Sequence, residues 1–195
     1  RRGGERPLSV SNERVGDGLV PARWWWGWLV GINLLFFVFN GLGVLRIESP
    51  LGMVAGVERP LAADFGGQIL LLGVDGPAEV AAGETFEVTV YWQAQQSVDI
   101  NYQSFIHMLA PDGFLVAQAD KLNPSDFPTR RWPTDKYIRD SYEVDVPLGV
   151  APGEYGVYAG LWVQAEGWRL PVWNDAGEQI GDNQLLYKIK VVDRR

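Results

Sequence analysis

The sequence predicts a mainly β chain: an antiparallel, immunoglobulin-like β-sandwich of about 7–8 strands behind a single N-terminal transmembrane helix. Three observations carry this expectation. An uncharged apolar run fills residues 24–45. From Phe65 onward apolar and polar residues alternate with a period of two, as in half-buried strands. Turn chemistry built on Pro, Asp and Gly interrupts that alternation at short intervals.

Residues 1–23 are polar, with Gly3, Gly4, Gly16, Gly18, Pro7 and Pro21 and no hydrophobic period. They read as an irregular tail that a partner can order. Basic residues flanking a span stay on the cytoplasmic side, so Arg1, Arg2, Arg6, Arg14 and Arg23 place the tail inside.

Residues 24–45 read WWWGWLVGINLLFFVFNGLGVL. As a helix the run would be about 33 Å long, against a hydrocarbon core of about 30 Å. It exceeds the apolar core of a signal peptide and no small-x-small cleavage site follows it, so a permanent anchor is expected. Trp24, Trp25, Trp26 and Trp28 crowd one end and suit a membrane-interface belt. Gly27 and Gly31 let a second backbone approach closely. Asn33 and Asn40, seven residues apart, share a different face, and an amide in hydrocarbon needs a partner. These four residues are the expected packing faces against partner helices. Residues 46–64 carry Pro50, Gly52, Gly56 and Pro60 and read as a linker.

The sandwich is expected over residues 65–195. Strands are predicted at 68–74, 84–94, 102–110 and 114–120. In the second, Phe86, Val88, Val90 and Trp92 face one way, while Thr85, Glu87, Thr89 and Tyr91 face the other. Asp75-Gly76-Pro77 and Pro111-Asp112-Gly113 are turns. A long loop covers 121–137. Further strands follow at Tyr142–Val144–Val146, at 155–163, as a short segment at 169–173, and at Tyr187–Ile189–Val191.

Composition excludes several functions. The net charge is −7, and residues 46–195 hold 12 basic and 21 acidic residues. That balance argues against nucleic acid. The absence of cysteine removes disulfides, thiolate catalysis and iron–sulfur ligation. His107 is the one histidine, in a strand beside Ile106 and Met108, and reads as a packing residue. A zinc site would need more His or Cys. Asp112, Asp120 and Asp126 match no calcium-loop spacing and read as turn acids. No nucleophile elbow or phosphate-binding loop is present. No catalytic residue, cofactor or metal is therefore expected.

The succession FGGQILLLGVDG, GETFEVTVYWQA, FIHMLAPDGFLVAQAD, PTRRW and PGEYGVYAGLW resembles a β-sandwich domain of bacterial membrane proteins. Those proteins are similar to the dolichyl-phosphate-mannose-type (family 39) glycosyltransferases, where the domain lies at the C-terminal end after a membrane span. The likeness covers about residues 65–192 and the preceding span. It implies a sandwich outside the bacterial cytoplasmic membrane. It implies no activity, because the family's acidic catalytic loop between its first membrane helices has no counterpart in this sequence.

Outside the apolar run, the unusual stretch is residues 123–137, NPSDFPTRRWPTDKY. Phe127, Arg130, Arg131, Trp132 and Tyr137 make it a candidate contact loop, since aromatic and Arg side chains concentrate at interface hot spots. Trp132, Trp162, Trp168 and Trp173 could instead stack on sugar rings, or cover the core while the arginines pair with local acids. The expected function is a non-catalytic single-span accessory subunit of a larger membrane complex, with an electron-transfer assembly as a candidate. The alternatives are an anchored glycan-binding module and a C-terminal fragment of a glycosyltransferase-like enzyme, since position 1 is Arg and not Met.

Overall fold

A computed structural model describes residues 54–174 and 176–194. The expected tail, span and interface belt, with Trp24, Trp25, Trp26, Trp28, Gly27, Gly31, Asn33 and Asn40, lie outside the described residues. Among the described residues no helix is long and apolar enough to cross a membrane.

The described residues form two β-sheets with a shared apolar core. The strands are β1 (Arg59–Phe65), β2 (Ile69–Asp75), β3 (Glu79–Ala81), β4 (Thr85–Ala94), β5 (Gln103–Leu109), β6 (Leu115–Lys121), β7 (Tyr137–Asp145), β8 (Gly153–Val163), β9 (Trp168–Arg169), β10 (Val172–Trp173), β11 (Gln179–Gly181) and β12 (Gln184–Val192). The first sheet runs β11-β10-β1-β2-β4-β7 and the second β3-β12-β8-β5-β6, with β9 added beside β8. Every pairing is antiparallel except β3 with β12.

Alternation builds the core as expected. Phe86, Val88, Val90 and Trp92 of β4 are 5% exposed or less. They meet Val157, Ala159 and Leu161 of β8 and Ile106 and Met108 of β5 within one cluster. Phe65 and Trp92 pack edge to face at 5.4 Å, a favoured aromatic geometry. The register of β12 shifts between Leu185 and Tyr187, and the bulge lets Leu186 and Tyr187 both reach the core. Outside the first sheet, Val54 and Val57 cover Leu72 and Tyr91, so β4 is buried on both faces over much of its length.

Three boundaries differ from the sequence reading. The sandwich starts inside the expected linker, because Arg59–Phe65 is strand β1. Pro60 is tolerated there because β10 pairs only with Asp64 and Phe65, which leaves the rest of that flank of β1 open. Second, β7 starts at Tyr137, five residues before Tyr142, and pairs with β4 throughout. Third, the segment expected at 169–173 splits: β9 joins β8 while β10 joins β1, so the chain changes sheet at Leu170–Pro171. With the three-residue strands β3 and β11, the described residues hold twelve strands rather than seven or eight.

Candidate functional site

β6 is an edge strand of the second sheet and β7 an edge strand of the first. Residues 122–136 cross from one to the other at one end of the sandwich. Two single 3₁₀ turns, Pro124–Asp126 and Thr129–Arg131, shape this crossover. Ser125 and Asp126 both have φ of 54°. For non-glycine residues that left-handed conformation costs roughly 1–3 kcal/mol each and persists only where surroundings enforce it.

The enforcing group is Asp140. Its position in β7 points inward, and it is fully buried. The Ser125 N–H donates to Asp140 Oδ1 at 2.7 Å, and Lys121 Nζ donates to the same oxygen at 2.7 Å. Asp140 Oδ2 accepts from the Tyr142 hydroxyl. That phenol has one proton, so Ser104 Oγ, 2.5 Å away, donates to it. Burial, then the charge of Asp140, push the Tyr142 pKa well above 10. Lys121 Nζ also donates to the Ser141 carbonyl at 2.7 Å and sits 4.6 Å from the Tyr142 ring centroid. The cluster underlies a cleft of about 420 Å³ lined by Glu87, Ala119, Asp120, Lys121, Ser141, Tyr142 and Glu143. Asp140, Lys121, Tyr142 and Ser104 satisfy one another, so the arrangement fixes geometry: it ties the two sheets and the start of the crossover together.

A second set of bonds holds the middle of the crossover. Thr129 is buried, donates its hydroxyl to the Ile100 carbonyl at 2.6 Å and accepts from the Tyr102 N–H at 2.9 Å. The Arg130 N–H reaches Asn101 Oδ1 at 3.3 Å. Trp132 Nε1 donates to the Phe127 carbonyl at 2.8 Å, and Gln93 Nε2 to the Thr134 carbonyl at 3.1 Å.

The expected contact residues thus divide. Trp132 is 5% exposed and belongs to the core, a correction to its reading as a contact residue. Phe127 is half-buried against the same core. Arg130, Arg131 and Tyr137 are exposed, Tyr137 edge-on to Tyr91 at 5.7 Å. Trp168 and Trp173 are exposed but lie on different sheets, and Trp168 meets Tyr102 at 78°, so the tryptophans do not form one flat platform. Asp112 caps its own turn by accepting from the Phe114 N–H at 3.0 Å.

Sequence reading missed Lys136, and its significance lies in the charge pattern. Arg59, Lys121, Arg139, Arg169, Lys188 and Lys190 each have a carboxylate oxygen within 4.0 Å. Arg130, Arg131 and Lys136 have no ion-pair partner among the described residues. All three lie on the crossover and all are exposed. Ile100, 36% exposed, precedes Asn101, which holds the Arg130 N–H, and Leu122, 65% exposed, lies at the start of the same crossover.

No protein-family model matches the sequence, and no curated protein matches it. Among solved structures, the CARDB domain of a Pyrococcus furiosus protein in complex with di-metal ions aligns at TM-score 0.38 and 12% identity, over 68% of this chain and 96% of that one. The C-terminal domain of Wzt aligns at TM-score 0.40 and 10% identity, over 70% of this chain and 84% of that one. The Pseudomonas fluorescens alkylpurine DNA glycosylase AlkC, bound to DNA containing an abasic site analog, aligns at TM-score 0.36 and 14% identity, over 64% of this chain and 30% of that one. Likenesses this distant bear on no function.

Proposed function

We propose that the chain is a non-catalytic, single-span accessory subunit of a larger membrane protein complex, and that its sandwich meets a partner through the crossover loop. The observation that carries the reading is the exposed Arg130–Arg131–Lys136 group. In an acidic chain whose strand-borne cations are paired, three cations without a carboxylate partner among the described residues sit on a loop held by buried bonds on both sides. Arginines of this kind beside exposed apolar side chains have hot-spot composition.

In this reading residues 24–45 anchor the chain in a bacterial cytoplasmic membrane with the N-terminus inside. Gly27, Gly31, Asn33 and Asn40 pack on partner helices, and Trp24, Trp25, Trp26 and Trp28 mark one interface. A quinol-oxidising respiratory or photosynthetic assembly suits such a subunit. The test is gentle detergent extraction of native membranes, size separation and mass spectrometry. Stoichiometric co-migration with other membrane subunits is expected. Migration of the chain alone would sink the reading.

A further inference from the structure

We infer that the partner presents a carboxylate-bearing protein segment to Arg130, Arg131 and Lys136, an inference that rests on the accessory-subunit reading. Three observations support it. First, these cations lack carboxylate partners among the described residues, whereas the cations on the strands have them. Second, Arg130 and Arg131 stand between two buried residues, Thr129 and Trp132. Both neighbours are hydrogen-bonded, so the backbone under the arginines is set before any partner arrives. Little ordering entropy is then left to lose on binding. Third, Thr129 bonds the Ile100 carbonyl, which brings the exposed Ile100 to the arginine pair and supplies apolar area beside the charges.

The balance of charges selects the class of partner. Residues 122–136 also carry Asp126 and Asp135, so the crossover is only about +1, and Asp99 lies two residues from Asn101. A long polyanion or an anionic bilayer gains from a broad basic field, which is absent here. Discrete cations set among discrete acids match discrete carboxylates. The guanidinium fork pairs with a carboxylate through two parallel N–H donors, and the interspersed aspartates repel misplaced ones.

The test uses the full chain in its native complex, extracted in mild detergent. A zero-length carbodiimide should join Lys136 Nζ to an Asp or Glu of a co-purifying subunit. Replacing both arginines, R130E/R131E, should lower co-purification about tenfold or more, as charge reversal at a contact does, while R130K/R131K keeps most of it. Both sites are exposed and their side chains make no bond among the described residues, so the unfolding midpoint should not move. If the wild-type complex holds together and R130E/R131E co-purifies unchanged, the inference is overturned and the accessory-subunit reading stands. Retention on a heparin column that R130E/R131E abolishes, with co-purification intact, would assign the loop to an anionic glycan and overturn it too. If the wild-type chain travels alone, both fall.

Discussion

Phe105 lies on the outer face of the second sheet, yet it is 2% exposed. Three neighbours hide it. Gly160, its register partner on β8, leaves the floor open, so that a Cβ there would sit 2.1 Å from the ring. His107 packs at 4.2 Å, and the Arg169 guanidinium lies 4.6 Å from the ring centroid. Gly160→Ala should therefore destabilise the domain by about 2 kcal/mol through overpacking, read as a lower urea midpoint with unchanged slope. His107 confirms its reading as a packing residue and adds a pH effect. Burial lowers its pKa below 6.5, against the pull of Asp120 at 3.9 Å and of Asp182, and Arg169 adds to the lowering. The unfolded chain therefore binds the proton more readily than the folded one. The contribution from neutral His107 is present above pH 6.5 and is lost as pH falls toward the folded value. The unfolding midpoint of the wild type should drop relative to His107→Gln between pH 7 and pH 5. A parallel pair of curves would refute this.

At the scale of one element, the crossover from β6 to β7 shows why a loop of this length can be rigid. Asp140 anchors its first turn, and Thr129 and Trp132 anchor its second half. Asp140→Asn keeps the shape but leaves Lys121 half-buried beside a neutral group, so it should cost about 3 kcal/mol. Lys121→Met alone should also destabilise. The double variant should cost less than the sum of the two, since each single change strands the other charge; chemical denaturation of the four proteins measures this. The same element marks the limit of sequence reading. The sequence names Arg130 and Arg131 as candidate contact residues but not Lys136, and it leaves Trp132 between a contact residue and a cover for the core. The hot-spot preference for Trp and the core preference for Trp give one residue type, and only the Phe127 carbonyl and the surrounding packing decide between them.

For the molecule as a whole, the two-layer β architecture was legible because β2, β4, β5, β6, β8 and β12 each carry apolar side chains at strand spacing. What escaped has physical causes. Residues 138–141 fall outside the strand that the sequence predicts because Asp140 faces inward where an apolar residue is expected, and only Lys121 and Tyr142 make that burial tolerable. Strand β1 was hidden by Pro60. Strands β3 and β11 are three residues long, too short to show a period. Gly76 read as turn chemistry, but its smallness also serves the distant Tyr187, whose hydroxyl would lie 2.4 Å from a Cβ there. Contacts between positions so far apart in sequence leave no local signal.

The placing of β12 has a consequence for how the protein is made. This strand lies between β3 and β8 in the second sheet, and Lys190 stands opposite Glu79, 111 residues earlier. A nascent chain that has already emitted β3 and β8 still holds a gap one strand wide. At typical synthesis rates the wait from β3 to β12 is roughly 5–20 seconds. Throughout it the flank of β3, and over the last part of it the flank of β8, offer unpaired backbone to any passing strand, which is the exposure that invites aggregation. A ribosome-stalled chain ending at Gly181 should stay protease-sensitive across the whole sandwich, and one extended past Val192 should become resistant in a single step. Gradual protection with length would mean that the first sheet matures alone.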